Sequence, residues 1–163
     1  MAYLEKNLGR EEKIISKGDV SFLPIIPNAV IGGLILIGGI CSGLGGFIFT
    51  LFIAAIIILP KFFGIKNTEL GLTNKKVMGK YGIINTKVMD SPLNKVNSVT
   101  VEQGLGGKIF GYGKIVISTS SGGYNFNYIK SADSFRSAVM NQIDAAEEEK
   151  LRKQAEQLAG AMK

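Results

Sequence analysis

The sequence contains no histidine and a single cysteine. Without histidine the usual general base and the commonest metal ligand are both missing, which excludes Ser-His and Cys-His catalysis. Cys41 has no second thiol to pair with, so neither an internal disulfide nor a cysteine metal site can form. The third absence is of charge. Asp19 and Lys61 are separated by 41 residues that include no Asp, Glu, Lys or Arg. That run is too long for the core of a small soluble domain. It also fits a secretory signal badly, since it begins after residue 19 and exceeds the roughly 7–15 residues of a signal core.

What is present completes the membrane reading. A spanning helix needs about 20 apolar residues, so 41 uncharged positions predict two short spans joined by a turn. The spans are expected near 24–41 and 46–60. Pro24 and Pro27 suit a first helical turn, and the glycines of the stretch Cys41-Ser42-Gly43-Leu44-Gly45-Gly46 suit the reversal. Pro60 and Lys61 are expected to end the second span. Ala29 and Gly33, and likewise Gly39 and Gly43, have the small-xxx-small spacing that lets helix backbones approach. They are the candidate helix-packing positions, either within one hairpin or between subunits of a homo-oligomer.

Charge is uneven outside the run. Residues 1–19 carry four basic and four acidic side chains, residues 61–130 ten lysines against three acids, and residues 131–163 five against six. The basic middle predicts attraction to anionic membrane lipids, worth about 1 kcal/mol per Lys near the surface. Nucleic acid competes for such charge, but these lysines adjoin an apolar block and have little interleaved aromatic surface, so no nucleic-acid partner is expected. Lys61, Lys66, Lys75, Lys76 and Lys80 follow the second span. The positive-inside rule then predicts an integral cell-membrane protein with both termini in the cytoplasm.

After Asn67 short runs alternate with turn residues, the pattern of an antiparallel sheet. Strands are predicted near 69–73, 76–81, 84–90, 96–103, 113–118 and 124–129. The turns between them fall at Asn74-Lys75, Gly82, Ser91-Pro92, Gly104–Gly111 and Ser121–Gly123. From Ser131 or Asp133 the period becomes helical, with Phe135, Val139 and Ile143 forming an apolar stripe that would pack on one end of a small barrel. Leu151, Ala155, Leu158 and Met162 continue at 4-3-4 spacing through a charged tail. This is read as a solvated helix end, with a short contact between subunits as the alternative.

Several of these segments carry a resemblance. Leu72-Thr73-Asn74-Lys75-Lys76-Val77, Gly79 and Gly82, Pro92-Leu93-Asn94-Lys95-Val96, Val101-Glu102-Gln103-Gly104 and Gly111-Tyr112-Gly113-Lys114-Ile115 look like the bacterial pleckstrin-homology (PH) domain family of small membrane proteins. The resemblance covers about residues 65–143. It implies a PH-like antiparallel β-barrel or sandwich of about seven strands capped by a C-terminal α-helix, behind a two-helix transmembrane hairpin. The seventh strand is expected at Lys108–Tyr112 or from the splitting of another. The domain plan is a cytoplasmic segment 1–19, a hairpin 20–60, a PH-like domain 65–143 and a charged helical tail 144–163.

Lipid-binding PH domains grip a phosphoinositide with Lys and Arg from the first two strands. Here the matching hairpin offers Lys75, Lys76 and Lys80, the candidate anionic-lipid contacts, and no arginine for bidentate phosphate binding. Gly104-Leu105-Gly106-Gly107-Lys108 lacks P-loop spacing, and Asp90, Glu102 and Lys114 form no recognisable catalytic set, so neither an enzyme nor a cofactor is expected. The expected function is a membrane-anchored, self-associating scaffold or sensor, with headgroup binding as the alternative.

Overall fold

The computed structural model describes residues 2–41 and 43–161. A short helix α1 (Ala2–Lys6) and strand β1 (Ile14–Lys17) precede a 3₁₀ turn (Leu23–Ile25), the long helices α2 (Ile26–Cys41) and α3 (Gly43–Lys66), strands β2 (Glu69–Thr73), β3 (Lys76–Tyr81) and β4 (Lys87–Pro92), and a second 3₁₀ turn (Leu93–Lys95). β5 (Val96–Glu102), helix α4 (Leu105–Phe110), β6 (Tyr112–Thr119), β7 (Gly122–Lys130) and helix α5 (Ala132–Ala161) follow. Two antiparallel sheets result, in the orders β1-β2-β3-β4 and β5-β6-β7. Two apolar helices, seven strands and a C-terminal helix match the architecture expected from the sequence.

The apolar helices lie side by side. At Gly32 the α2 backbone meets Ala54 and Ile58, and at Gly39 a Cβ would overlap the Thr50 side chain. Counted from the 3₁₀ turn, Leu23–Cys41 is long and apolar enough to cross a membrane, as is Gly43–Lys66, and little of either is covered by protein. The turn is tighter than the stretch 41–46 anticipated, because α2 runs to Cys41 and α3 starts at Gly43, whose φ of +80° is open to glycine. Ser42 lies outside the described residues. Pro60 does not end the second helix, which continues to Lys66. Proline there removes one N–H from the ladder. Packing carries the helix past it: the Phe62 ring lies 6.4 Å from that of Phe22, and Ile65 is buried.

Three other expectations are corrected. The seventh strand is β1, which pairs with β2 through Ile14–Thr73, Ser16–Leu72 and Lys17–Gly71. Residues 108–112 do not supply it, since 105–110 form α4, ended by Gly111 at φ 69°. The strand placed at 84–90 begins at Lys87 and runs through Ser91-Pro92, with Ile84 exposed in the preceding loop. The whole hairpin is therefore inserted between the first two strands of one sheet.

The core lies between the two sheets and α5. Leu70, Leu72, Val77, Met89, Ile115, Ile117, Phe126 and Ile129 meet Ala132, Phe135 and Val139 of the helix stripe. Arg136 Nε donates to the Val99 carbonyl at 3.0 Å and fixes α5 on β5. Strand β2 is buried on both faces. Leu70 and Leu72 point into the core, while on the other side Leu4 of α1 packs over Gly71. Beyond its first few turns α5 leaves the domain, with Leu151 and Leu158 exposed. Met162 lies outside the described residues.

Candidate functional site: the base of the hairpin

The hairpin joins the sheets through a bulge. Between Phe126 and Ile129, two residues of β7 stand opposite Lys114 alone. One of them, Tyr128, has φ 63°, a left-handed conformation uncommon for a residue other than glycine. A bulge re-aims backbone and side chain. Here it offers the Tyr128 carbonyl to the Ser21 N–H at 2.7 Å, while Lys130 N–H donates to the Asp19 carbonyl at 2.7 Å. Val20 bridges to Ile129 between them.

The second helix is held at the same level. Lys61 Nζ donates to Asn28 Oδ1 at 3.1 Å, linking α3 to the start of α2. The same ammonium lies 6.0 Å from the centroid of the Tyr128 ring, which meets the Tyr112 ring edge-on at 6.0 Å. Phe22, Phe62 and Phe63 surround this level with exposed rings.

Beside the base, an open groove of about 300 Å³ runs between the hairpin and β2. Val20, Phe22 and Leu70 give it an apolar wall, and Lys17, Lys66 and Lys130 line its edge. Two acids also face it, Asp19 and Glu69. The Glu69 carboxylate accepts from the Tyr3 and Leu4 N–H groups at 3.2 and 3.4 Å. Lys17 Nζ lies 4.0 Å from Glu5 Oε1, and an apolar wall beside ammonium groups can accept an anionic group joined to an alkyl chain.

The structure separates the three lysines singled out by sequence. Lys80 pairs with Glu69, the first residue of β2, so it stands at the hairpin end. Lys76, four residues along β3, is about 13 Å away at the opposite end. It is engaged, with Nζ 2.9 Å from Asp90 and 3.7 Å from Glu12. Burial lowers the Lys76 pKa, but those two carboxylates outweigh it and raise the value overall. Lys75 is exposed beside the distal turn. Three neighbours in sequence thus form no single patch. Of the small residues, Gly39 lies between the helices, Ala29 and Gly43 are exposed, and Gly33 has open space beyond it. Gly32 was missed: its partner Gly39 lies seven positions on, outside the four-residue motif used to find it.

Asp90 and Glu102 are likewise engaged, the latter with Lys114 at 2.9 Å. Among the described residues no cluster of three or more His, Cys, Asp or Glu could hold a metal. A family model described as Bacterial PH domain matches residues 23–159, the hairpin included. The chain belongs to the bacterial PH domain family. No curated protein and no solved structure matches it. In this bacterial PH protein β1 lies before the matched residues, yet it completes the four-stranded sheet.

Proposed function

We propose that this bacterial PH protein is a non-enzymatic module, anchored in the cell membrane by its hairpin, that self-associates and serves as a scaffold or sensor on the cytoplasmic face. One observation carries the reading. Two helices with exposed apolar flanks, including Leu34, Ile37, Phe49 and Phe52, emerge from between two paired strands of the domain. Such surface has no place in water, so the bilayer is its natural solvent. The lysines after the second span support cytoplasmic termini. Self-association is supported by the open small-residue face at Ala29 and Gly33 and by the exposed leucines of α5. Light scattering of the full chain in mild detergent tests it: a dimer or larger particle is expected, and a monomer at every concentration contradicts self-association.

The groove at the hairpin base favours a second reading, binding of an anionic lipid headgroup. Its lysines are Lys17, Lys66 and Lys130. The full chain is needed for the assay, because a fragment starting at residue 65 lacks β1. Replacing these three by Ala should weaken retention of phosphatidylglycerol, whereas Lys75→Ala should not.

A further inference from the structure

The domain exposes a second set of apolar side chains, separate from the hairpin. Ile84 is 95% exposed in the loop between β3 and β4, and Leu105 and Ile109 of α4 are 84% and 76% exposed. Large apolar groups so open to water mark a contact surface when they cluster. Leu105 and Ile109 are four apart on one short helix and share a face, with Lys108 beside them.

Both segments lie at the hairpin end. β2 starts three residues after α3 ends, and its first residue pairs with Lys80, so the chain beyond Tyr81 returns toward α3. There the Ile83 side chain approaches Gly64, one turn past Lys61. Helix α4 rests on Tyr112, which packs against Tyr128, and Tyr128 in turn faces Lys61. Lys61 is the first charge after the apolar run and marks where that run meets water. The Ile83-Ile84 loop and α4 therefore lie near that boundary, with Lys80 and Lys108 next to their apolar residues.

We infer that the β3–β4 loop and α4 form a second membrane contact, with Ile84, Leu105 and Ile109 entering the interfacial layer of an anionic bilayer and Lys80 and Lys108 meeting its phosphates. This rests on the hairpin being inserted in the membrane. Continuity with the hairpin and the adjoining lysines favour lipid over a second copy of the chain. The loop, α4 and α3 would hold the domain against the bilayer at separate points and prevent it from swinging about the hairpin.

Depth-dependent quenching tests it on the full chain in phosphatidylcholine–phosphatidylglycerol vesicles. In a Cys41→Ser background, Ile84→Cys, Ile109→Cys, Phe49→Cys and Ser98→Cys are each labelled with a polarity-sensitive fluorophore; all four positions are exposed. Labels at 84 and 109 should shift to the blue and be quenched by lipid brominated near the headgroup, the label at 49 by deeply brominated lipid, and the label at 98 by neither. Quenching at 49 without quenching at 84 and 109 overturns the second contact and leaves the hairpin reading intact. A blue shift at 84 and 109 without lipid quenching assigns the patch to another protein surface and also overturns it. No quenching at 49 overturns both.

Discussion

Ser21 donates its backbone N–H to the carbonyl of Tyr128 at 2.7 Å, two residues before the 3₁₀ turn that opens the hairpin. The apolar hairpin is thus bonded to the last strand of the domain as well as continuous with the first two. A displacement of the hairpin would be felt at β7 and, through Ser131, at the start of α5. Under the proposed function, that would be a mechanical path from bilayer to tail.

Gly39 against Thr50 sets how closely the two apolar helices approach. Gly39→Leu should force them apart at a cost of about 1–3 kcal/mol. Gly33→Leu, with open space beyond it, should change the stability of the detergent-solubilised monomer little. Thermal unfolding together with light scattering of the two variants separates packing inside the hairpin from packing between subunits, because a loss of oligomer in Gly33→Leu without a loss of monomer stability identifies the latter.

Gly79 lies beneath the Phe126 ring, where a Cβ would come within 2.5 Å of ring carbons. Gly79→Ala should destabilise the domain by about 1–3 kcal/mol through overpacking. Urea unfolding monitored by circular dichroism would register it. An unchanged midpoint would mean that the ring has room to move.

Glu12 and Lys76 predict how the N-terminal segment responds to pH. Burial raises the Glu12 pKa, but the Gly9 N–H, the Thr73 hydroxyl and Lys76 outweigh it and hold the value below 4.5. Its stabilisation is therefore present above about pH 4.5 and lost as pH falls through the lower folded value. The raised Lys76 value works in the opposite sense, so its contribution is complete below 10.5 and is lost at higher pH. Protection factors for hydrogen exchange at the β1–β2 amides, which remove the intrinsic pH dependence of exchange, should fall at both extremes. Glu12→Gln should lower them at neutral pH, by an amount equivalent to about 1–2 kcal/mol, and remove the acid limb.

Deleting residues 1–19 should damage the domain as well as remove a tail. The segment supplies β1 and places Leu4 over Gly71. Without it the edge of β2 and the fully buried Met78 would be uncovered. Limited proteolysis should then cut within 69–81, sites that the full chain protects.

The hairpin, most strands and the capping stripe of α5 were legible because each repeats a local period: continuous apolar residues, alternation, or four-residue spacing. β1 was not. It is a four-residue edge strand with exposed Ile15 and Lys17, and its partner lies beyond the hairpin, so no local pattern links the two. Pro60 resembles a helix end in sequence because its missing N–H is a local feature, whereas the Phe22–Phe62 contact and the burial of Ile65 that carry α3 past it are tertiary. That the three lysines stand apart was hidden for a different reason: adjacency along the chain says nothing about which end of a strand a side chain occupies, nor that Lys76 is engaged by Asp90 and Glu12.

The most direct test of a hairpin inserted between strands of one cytoplasmic domain is thiol labelling of the full chain from either side of the membrane. In a Cys41→Ser background, Ile15→Cys in β1, Ser98→Cys in β5 and Leu44→Cys at the hairpin tip would each meet a membrane-impermeant maleimide in right-side-out and in inverted vesicles. Positions 15 and 98 should react only in inverted vesicles, and position 44 only in right-side-out ones. Reaction of 15 and 98 from opposite sides would contradict the account, because β1 and β5 could not then belong to one domain.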